Sequence, residues 1–293
     1  MNRIWKYVIT FAVVYLILRI AYDTYTAQWC TEEGNYKVAL CISGQLRTFR
    51  QCYPGIKKYI IDCYDTDVYL CIGDEEKKED VEEAVKLFRP KNWKQIKVDC
   101  GDICVCKNGK DRKHLFYIGE KMKACEEMRE QSGIRYDVAM KIRPDLCLHQ
   151  SVPRDVMNSC TLNRILWSPI ISPDTLVVYP NSFFNQLMIW YLPNSVNDQF
   201  MVASPAVMKD VTLAFCNESK EDWPCRVNYP FLFDNVVNTE GVLDKILTQR
   251  GIHSGRFPFR FYLQRTENGT IVEEVWHCIW HHANKSIFKL LFK

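Results

Sequence analysis

The chain has 293 residues, 47% of them hydrophobic and 25% charged, a globular balance with enough apolar material for a core that stands alone. Its 38 basic and 35 acidic residues leave a formal charge of +3. Composition therefore gives no support to binding of nucleic acid or another polyanion, and any phosphate site must be local.

Residues 4–22 read IWKYVITFAVVYLILRIAY, with Lys6 and Arg19 bracketing the uninterrupted apolar run. As a helix this segment spans roughly 28 Å, about one hydrocarbon core, and both cations lie near enough to its ends to snorkel. Asp23-Thr24-Tyr25-Thr26 is polar and bulky rather than a small-residue cleavage site, which favours a retained signal anchor over a cleaved signal peptide. Arg3 and Lys6 precede the span and Asp23 offsets Arg19, so the charge bias puts the N-terminus in the cytoplasm. The expectation is a single-pass type II membrane protein: residues 1–22 form a cytoplasmic stub and transmembrane anchor, residues 23–35 a short stem, and the rest faces a lumen of the Golgi or ER kind. Sequons at Asn217, Asn268 and Asn284 agree with a glycoprotein, although three in this length is close to chance.

Lys37 to Ile42 is a short, continuous apolar run followed at once by Ser43-Gly44-Gln45-Leu46-Arg47, which reads as a central parallel strand feeding a turn and then a helix over residues 48–64. Val68 to Ile72 is a second such strand, stopped by Gly73-Asp74. Residues 75–89 are charged, with Val81, Val85 and Phe88 at helical spacing and Pro90 beyond, which predicts an exposed amphipathic crossover helix. Residues 93–98 make a third candidate strand, and residues 112–131 carry Leu115, Ile118, Met122, Cys125 and Met128 as the apolar stripe of a long helix. Tyr136 to Leu146 is the fourth strand, an apolar run ending in Arg143-Pro144-Asp145. Strands and helices alternating in this way predict a parallel α/β sheet.

The second half is less regular. Residues 151–168 read as helix and loop, 175–179 as a strand, 181–192 as an aromatic-rich segment, and 200–203 as a short strand behind Asn197-Asp198-Gln199. Helices follow over residues 204–215, where Pro205 sits early, and 239–250, closed by Gly251. Residues 257–265 and 270–276 flank Glu267-Asn268-Gly269, a hairpin signal. Of the fourteen cysteines, Cys41 and Cys71 sit in apolar runs as small hydrophobes, Cys100, Cys104 and Cys106 lack the spacing of a zinc site, and Cys216 with Cys225 is the best candidate disulfide.

All strand C-termini of a parallel sheet point to one edge, so Ser43 to Arg47, Gly73-Asp74 and Arg143 to Asp145 should converge there. Free amides and two arginines suit the phosphates of a nucleotide diphosphate, and Asp145 suits a divalent cation or a sugar hydroxyl. The same residues could instead cap strands and pair with one another at the rim. His277 and His281, four apart with His282 beside them, admit a further metal ligand or a packed, solvated role near Trp276 and Trp280. The aromatics of residues 183–191 suit an acceptor sugar or, more simply, the core.

Taken in order, Ser43-Gly44-Gln45-Leu46-Arg47, Thr66-Asp67-Val68-Tyr69, Lys141-Ile142-Arg143-Pro144-Asp145-Leu146 and Asn197-Asp198-Gln199-Phe200 resemble a family of membrane-anchored glycosyltransferases with the nucleotide-sugar-binding GT-A fold, over roughly residues 36–265. The resemblance implies a GT-A-like (Rossmann-like), mostly parallel sheet flanked by helices. It implies a single glycosyltransferase-like domain over 36–293, with a nucleotide-sugar half at 36–146 and an acceptor half at 147–293. It also implies a hexosyltransferase-like activity with a nucleotide-sugar donor and a glycan, protein or lipid acceptor. Ser43, Gly44, Gln45, Arg47, Asp74, Arg143 and Asp145 would contact the donor, and Asp198 would be the base that deprotonates the acceptor hydroxyl. Arg143 and Asp145 fall where such enzymes have Asp-x-Asp holding Mn²⁺ or Mg²⁺. With arginine in the first acidic position, Asp145 is left as the one metal ligand, and the guanidinium both repels a cation and neutralises phosphate directly. Two other classes compete. A non-catalytic, membrane-anchored carbohydrate-binding or adhesion protein would keep the fold without converging side chains. A sulfotransferase would need a phosphate loop that Ser-Gly-Gln-Leu-Arg-Thr is not.

Overall fold

The computed structural model describes residue 14 and residues 36–98, 113–162, 165–169, 199–218, 239–257, 261–267 and 270–274. Among these no helix is long and apolar enough to cross a membrane. The expected anchor at 4–22, the strand at 175–179, the aromatic segment at 181–192, the cysteines at 100, 104 and 106, and the histidines at 277, 281 and 282 all lie outside the described residues.

The first half alternates as its periodicity predicts: β1 (Lys37–Gly44), α1 (Phe49–Ile56, continued by a wider π turn over Lys57–Ile61), β2 (Asp65–Gly73), α2 (Lys78–Phe88), β3 (Asn92–Ile96), α3 (Lys113–Gln131) and β4 (Val138–Ile142). The chain then runs through β5 (Leu146–Leu148), α4 (Arg154–Leu162), β6 (Ile165–Pro169), β7 (Phe200–Ala203), α5 (Pro205–Glu218), α6 (Thr239–Arg250), β8 (His253–Phe257), β9 (Phe261–Glu267) and β10 (Thr270–Glu274). Seven strands form one sheet in the order β3-β2-β1-β4-β7-β6-β8. The pairs of β1 with β2 and β4, of β2 with β3 and of β6 with β8 are parallel, and β7 alone runs against its neighbours β4 and β6. This is a mixed α/β fold with a mostly parallel sheet flanked by helices, compatible with a Rossmann-like architecture.

Strand alternation sorts the core into two layers. Val38, Leu40 and Ile42 of β1, with Val68, Leu70 and Ile72 of β2, pack under α1, α2 and α4. On the opposite face Ala39, Cys41, Tyr69 and Cys71 pack under Ala124, Cys125 and Met128 of α3, while Met201 and Ala203 of β7 pack under α5 and α6. Each fully buried aliphatic side chain of this kind contributes on the order of 1.5–3 kcal/mol by leaving water, which is why an unbroken apolar run seeks a central position. Cys41 and Cys71 are buried free thiols within the second layer, acting as the small hydrophobes their surroundings suggested.

Three local expectations are corrected. The fourth strand is two strands: Arg143-Pro144-Asp145 turns the chain from β4 in the main sheet to β5 in a second, antiparallel sheet of order β10-β9-β5. The segment predicted as helix and loop over 151–168 ends in strand β6, whose apolar run is too short for its period to distinguish. Cys216 is buried outside any disulfide, its thiol donating to Glu120 Oε1 at 3.1 Å, and Cys225 lies outside the described residues. A disulfide instead joins Cys52 of α1 to Cys147 of β5, and Cys63 is disulfide-bonded as well. The predicted hairpin is present, with Glu267 of β9 opposite Thr270 of β10.

Candidate functional site

In strand order, β1 lies between β2, reached by one crossover, and β4, reached only after the chain has gone out to β3 and come back. In the main sheet the strand after β1 lies on one side of the β1–β4 pair and the strands after β4, β6 and β7, lie on the other, a reversal of strand order at whose C-terminal edge such sheets usually bind their ligands. The register pairs Ile42 with Ile142, so Ser43-Gly44 and Arg143-Pro144 emerge side by side. Gly44 has φ 152°, and a Cβ there would sit 2.9 Å from Pro144 Cδ and 3.8 Å from Arg143 Cγ. Only glycine meets both demands, the positive φ and the close approach.

The residues expected at this edge are brought together unequally. Ser43 is buried, Gly44 and Gln45 are half-buried and Arg47 is exposed, all on the turn between β1 and α1. Asp74 is exposed at the end of β2, where its amide donates to Ile96 O of β3 at 3.0 Å. Arg143 donates through Nε to Asp145 Oδ1 at 2.8 Å and through Nη2 to Asp145 Oδ2 at 2.6 Å, a bidentate pair in which Asp145 is fully buried and the Arg143 side chain is 19% exposed. The Arg143 amide donates to Gln199 O at 3.2 Å, which draws the start of β7 to the same rim. Asp198, the residue just before Gln199, lies outside the described residues.

Both Asp145 oxygens face the Arg143 guanidinium, and among the described residues no group of three or more His, Cys, Asp or Glu side chains is disposed to hold a metal ion.

Three further residues belong to this edge. The charge pattern places Glu75 and Glu76 in the helix over residues 75–89, but α2 starts only at Lys78, so they occupy the loop after β2. Glu76 Oε1 accepts the Leu46 amide at 3.0 Å, and Lys121 of α3, itself buried, donates to Glu75 Oε1 at 2.9 Å. Burial raises the Glu75 carboxyl, but its own backbone amide and Lys121 outweigh that and hold it below the ordinary glutamate range. Burial pushes Glu76 the other way, above that range, with Glu75 and Asp80 adding to the rise and the Leu46 amide and Lys121 opposing it. The signal for Lys121 was its position three residues after Ile118 and one before Met122, on the edge of the apolar stripe. No family model and no curated protein matches the chain.

Proposed function

We propose that the chain is a glycosyltransferase of GT-A-like fold that moves a sugar from a nucleotide diphosphate to a glycan, protein or lipid acceptor. The observation that carries this reading is the meeting of the Ser43–Arg47 turn with Arg143 at the β1–β4 switch, with the start of β7 hydrogen-bonded to the same rim. A turn with backbone amides beside a planar guanidinium matches the geometry and charge of a diphosphate. Asp145 fixes the Arg143 fork from behind by a bidentate pair, so the arginine, rather than a cation, supplies the positive charge opposite the phosphates. Asp198 is the proposed base for the acceptor hydroxyl, a fitting role for a carboxylate where proton loss comes late in an oxocarbenium-like step. A disulfide between Cys52 and Cys147 suits an oxidising lumen behind the proposed type II anchor.

The test uses the full chain in detergent, screened for binding and turnover of UDP- and GDP-sugars with Mn²⁺ and with EDTA. Transfer from one donor class that survives EDTA is the expected result, and absence of binding to every donor would remove the reading. Asp198→Asn should lower transfer by at least about a hundredfold while donor affinity stays within about twofold. The second reading, a non-catalytic membrane-anchored carbohydrate-binding protein, draws on the closed Arg143–Asp145 pair, which is also what a purely structural corner would show. Donor-independent glycan binding without turnover would favour it.

A further inference from the structure

The turn that would meet the donor is tied down on both sides of Gln45. On one side Gly44 lies against the Pro144 ring. On the other, the Leu46 side chain is sunk in the core and its amide donates to Glu76 Oε1 at 3.0 Å. Glu76 comes from a different crossover, the loop after β2, so this bond joins two edge loops that are far apart in sequence. The charged groups facing it are Glu75 on its own loop, Asp80 on α2 and Lys121 on α3. Lys121 pairs with Glu75, and Asp80 pairs with Arg50 of α1 at 2.5 Å. Lys121, Glu75 and Asp80 are thus each paired with a group other than Glu76, while the Glu76 carboxylate accepts from the Leu46 amide.

We infer that Glu76 is a positioning residue of the proposed donor site: its ionised carboxylate holds the Leu46 amide and thereby keeps the Gln45–Arg47 turn set against the C-terminal edge of β1 and β4. The donor part of this inference rests on the glycosyltransferase reading. The contact between Glu76 and Leu46 does not. A hydrogen bond to an ionised acceptor is stronger than one to its neutral form, so the turn is held more firmly when Glu76 is charged. Ionisation nonetheless works against folding. Because burial raises the Glu76 carboxyl in the folded protein, its contribution to stability is fully present below the unfolded-state value and lost as pH rises through the raised folded value. A glutamate kept only for stability would have the opposite sign.

The experiment compares the full-length chain with Glu76→Gln, which keeps a neutral acceptor, and Glu76→Ala, which removes it. Hydrogen exchange at Leu46 is read as protection factors from about pH 5 to about pH 8, alongside thermal unfolding and calorimetric titration with UDP and with GDP. In the wild-type chain, protection of Leu46 should fall as the pH drops through a value above the ordinary glutamate range. Glu76→Gln should give a flat profile about fivefold below the wild-type plateau, Glu76→Ala a lower one, and nucleotide affinity should fall in the same order. At neutral pH Glu76→Gln should be no less stable than wild type. Wild-type protection in Glu76→Ala would overturn the inference, as would a loss of stability in Glu76→Gln that accounts for its lost protection. If neither UDP nor GDP binds the wild-type chain, the glycosyltransferase reading fails and the donor role of Glu76 fails with it, while the Leu46 series separately reports whether Glu76 holds the turn.

Discussion

At the scale of single residues, the Arg143–Asp145 pair is where charge and burial are most sharply opposed. Asp145 has no exposed surface, and a carboxylate taken out of water costs several kcal/mol unless it is answered in kind. The guanidinium fork answers it with two short hydrogen bonds. The partners are not equivalent, because Arg143 keeps about a fifth of its side chain in water and Asp145 keeps none. Arg143→Ala should therefore cost about 3–5 kcal/mol by stranding a buried charge, whereas Asp145→Ala should cost about 1–2 kcal/mol because the arginine can be solvated again. Urea denaturation of both variants measures this, and equal losses would contradict it. The letters Arg-Pro-Asp marked a charged strand end, but two outcomes fitted them, an open carboxylate and a rim pair. What closed the pair is burial of the corner as β5 joins β9, a contact between residues more than a hundred positions apart.

At the scale of elements, the packing of α1 on β5 is governed by one glycine. Pro54 and Gly55 inside α1 are poor helix formers, and by propensity alone Gly55→Ala would gain up to about 1 kcal/mol. A Cβ at Gly55, however, would lie 2.5 Å from Leu148 O and 3.0 Å from Leu148 N, and backbone in a paired strand cannot move aside. The expected effect is a loss of about 1–3 kcal/mol in chemical denaturation, with the sign reversed from the helix scale. Helix α2 is the simpler case. Val81 and Phe88 are buried in the core as their spacing predicts, with Ala84 buried beside them and Val85 only half-buried, and the helix closes on Arg89 in the left-handed region (φ 47°) ahead of Pro90. The same charged stretch hid Glu75 and Glu76, because a run of charges reads alike in a helix and in the loop before it.

At the scale of the whole molecule, the Cys52–Cys147 bond couples the layer above the main sheet to the second sheet across 95 residues. A bridge closing a loop of that length restricts the unfolded chain strongly, so Cys147→Ser or reduction before unfolding should lower stability by about 2–5 kcal/mol. Equilibrium unfolding with and without reductant checks this. An unchanged midpoint would mean that the packing of α1 on β5 suffices without the bond. The pairing was not legible because a plausible loop, 216 to 225, offered a nearer candidate, and nearness in sequence says little about which thiols meet once two sheets have formed.

The parallel core of this protein was legible in the residues alone. Apolar runs at residues 38–42 and 68–72, and the stretch 138–142 interrupted only by the buried Lys141, have no stable place except the middle of a sheet covered on both faces, and the charged, 3.6-periodic stretches between them can only be the covers. The sequence also marked Ser43 to Arg47 and Arg143 to Asp145 as the ends that such strands deliver to one edge. The tertiary structure alone decided the antiparallel entry of β7, the second sheet, the disulfide, and the bonds of Glu76 to Leu46 and Glu75 to Lys121. Periodicity records which face of an element is buried. It does not record which element arrives to bury it, and at this edge that arrival sets the charge, reach and rigidity of the site.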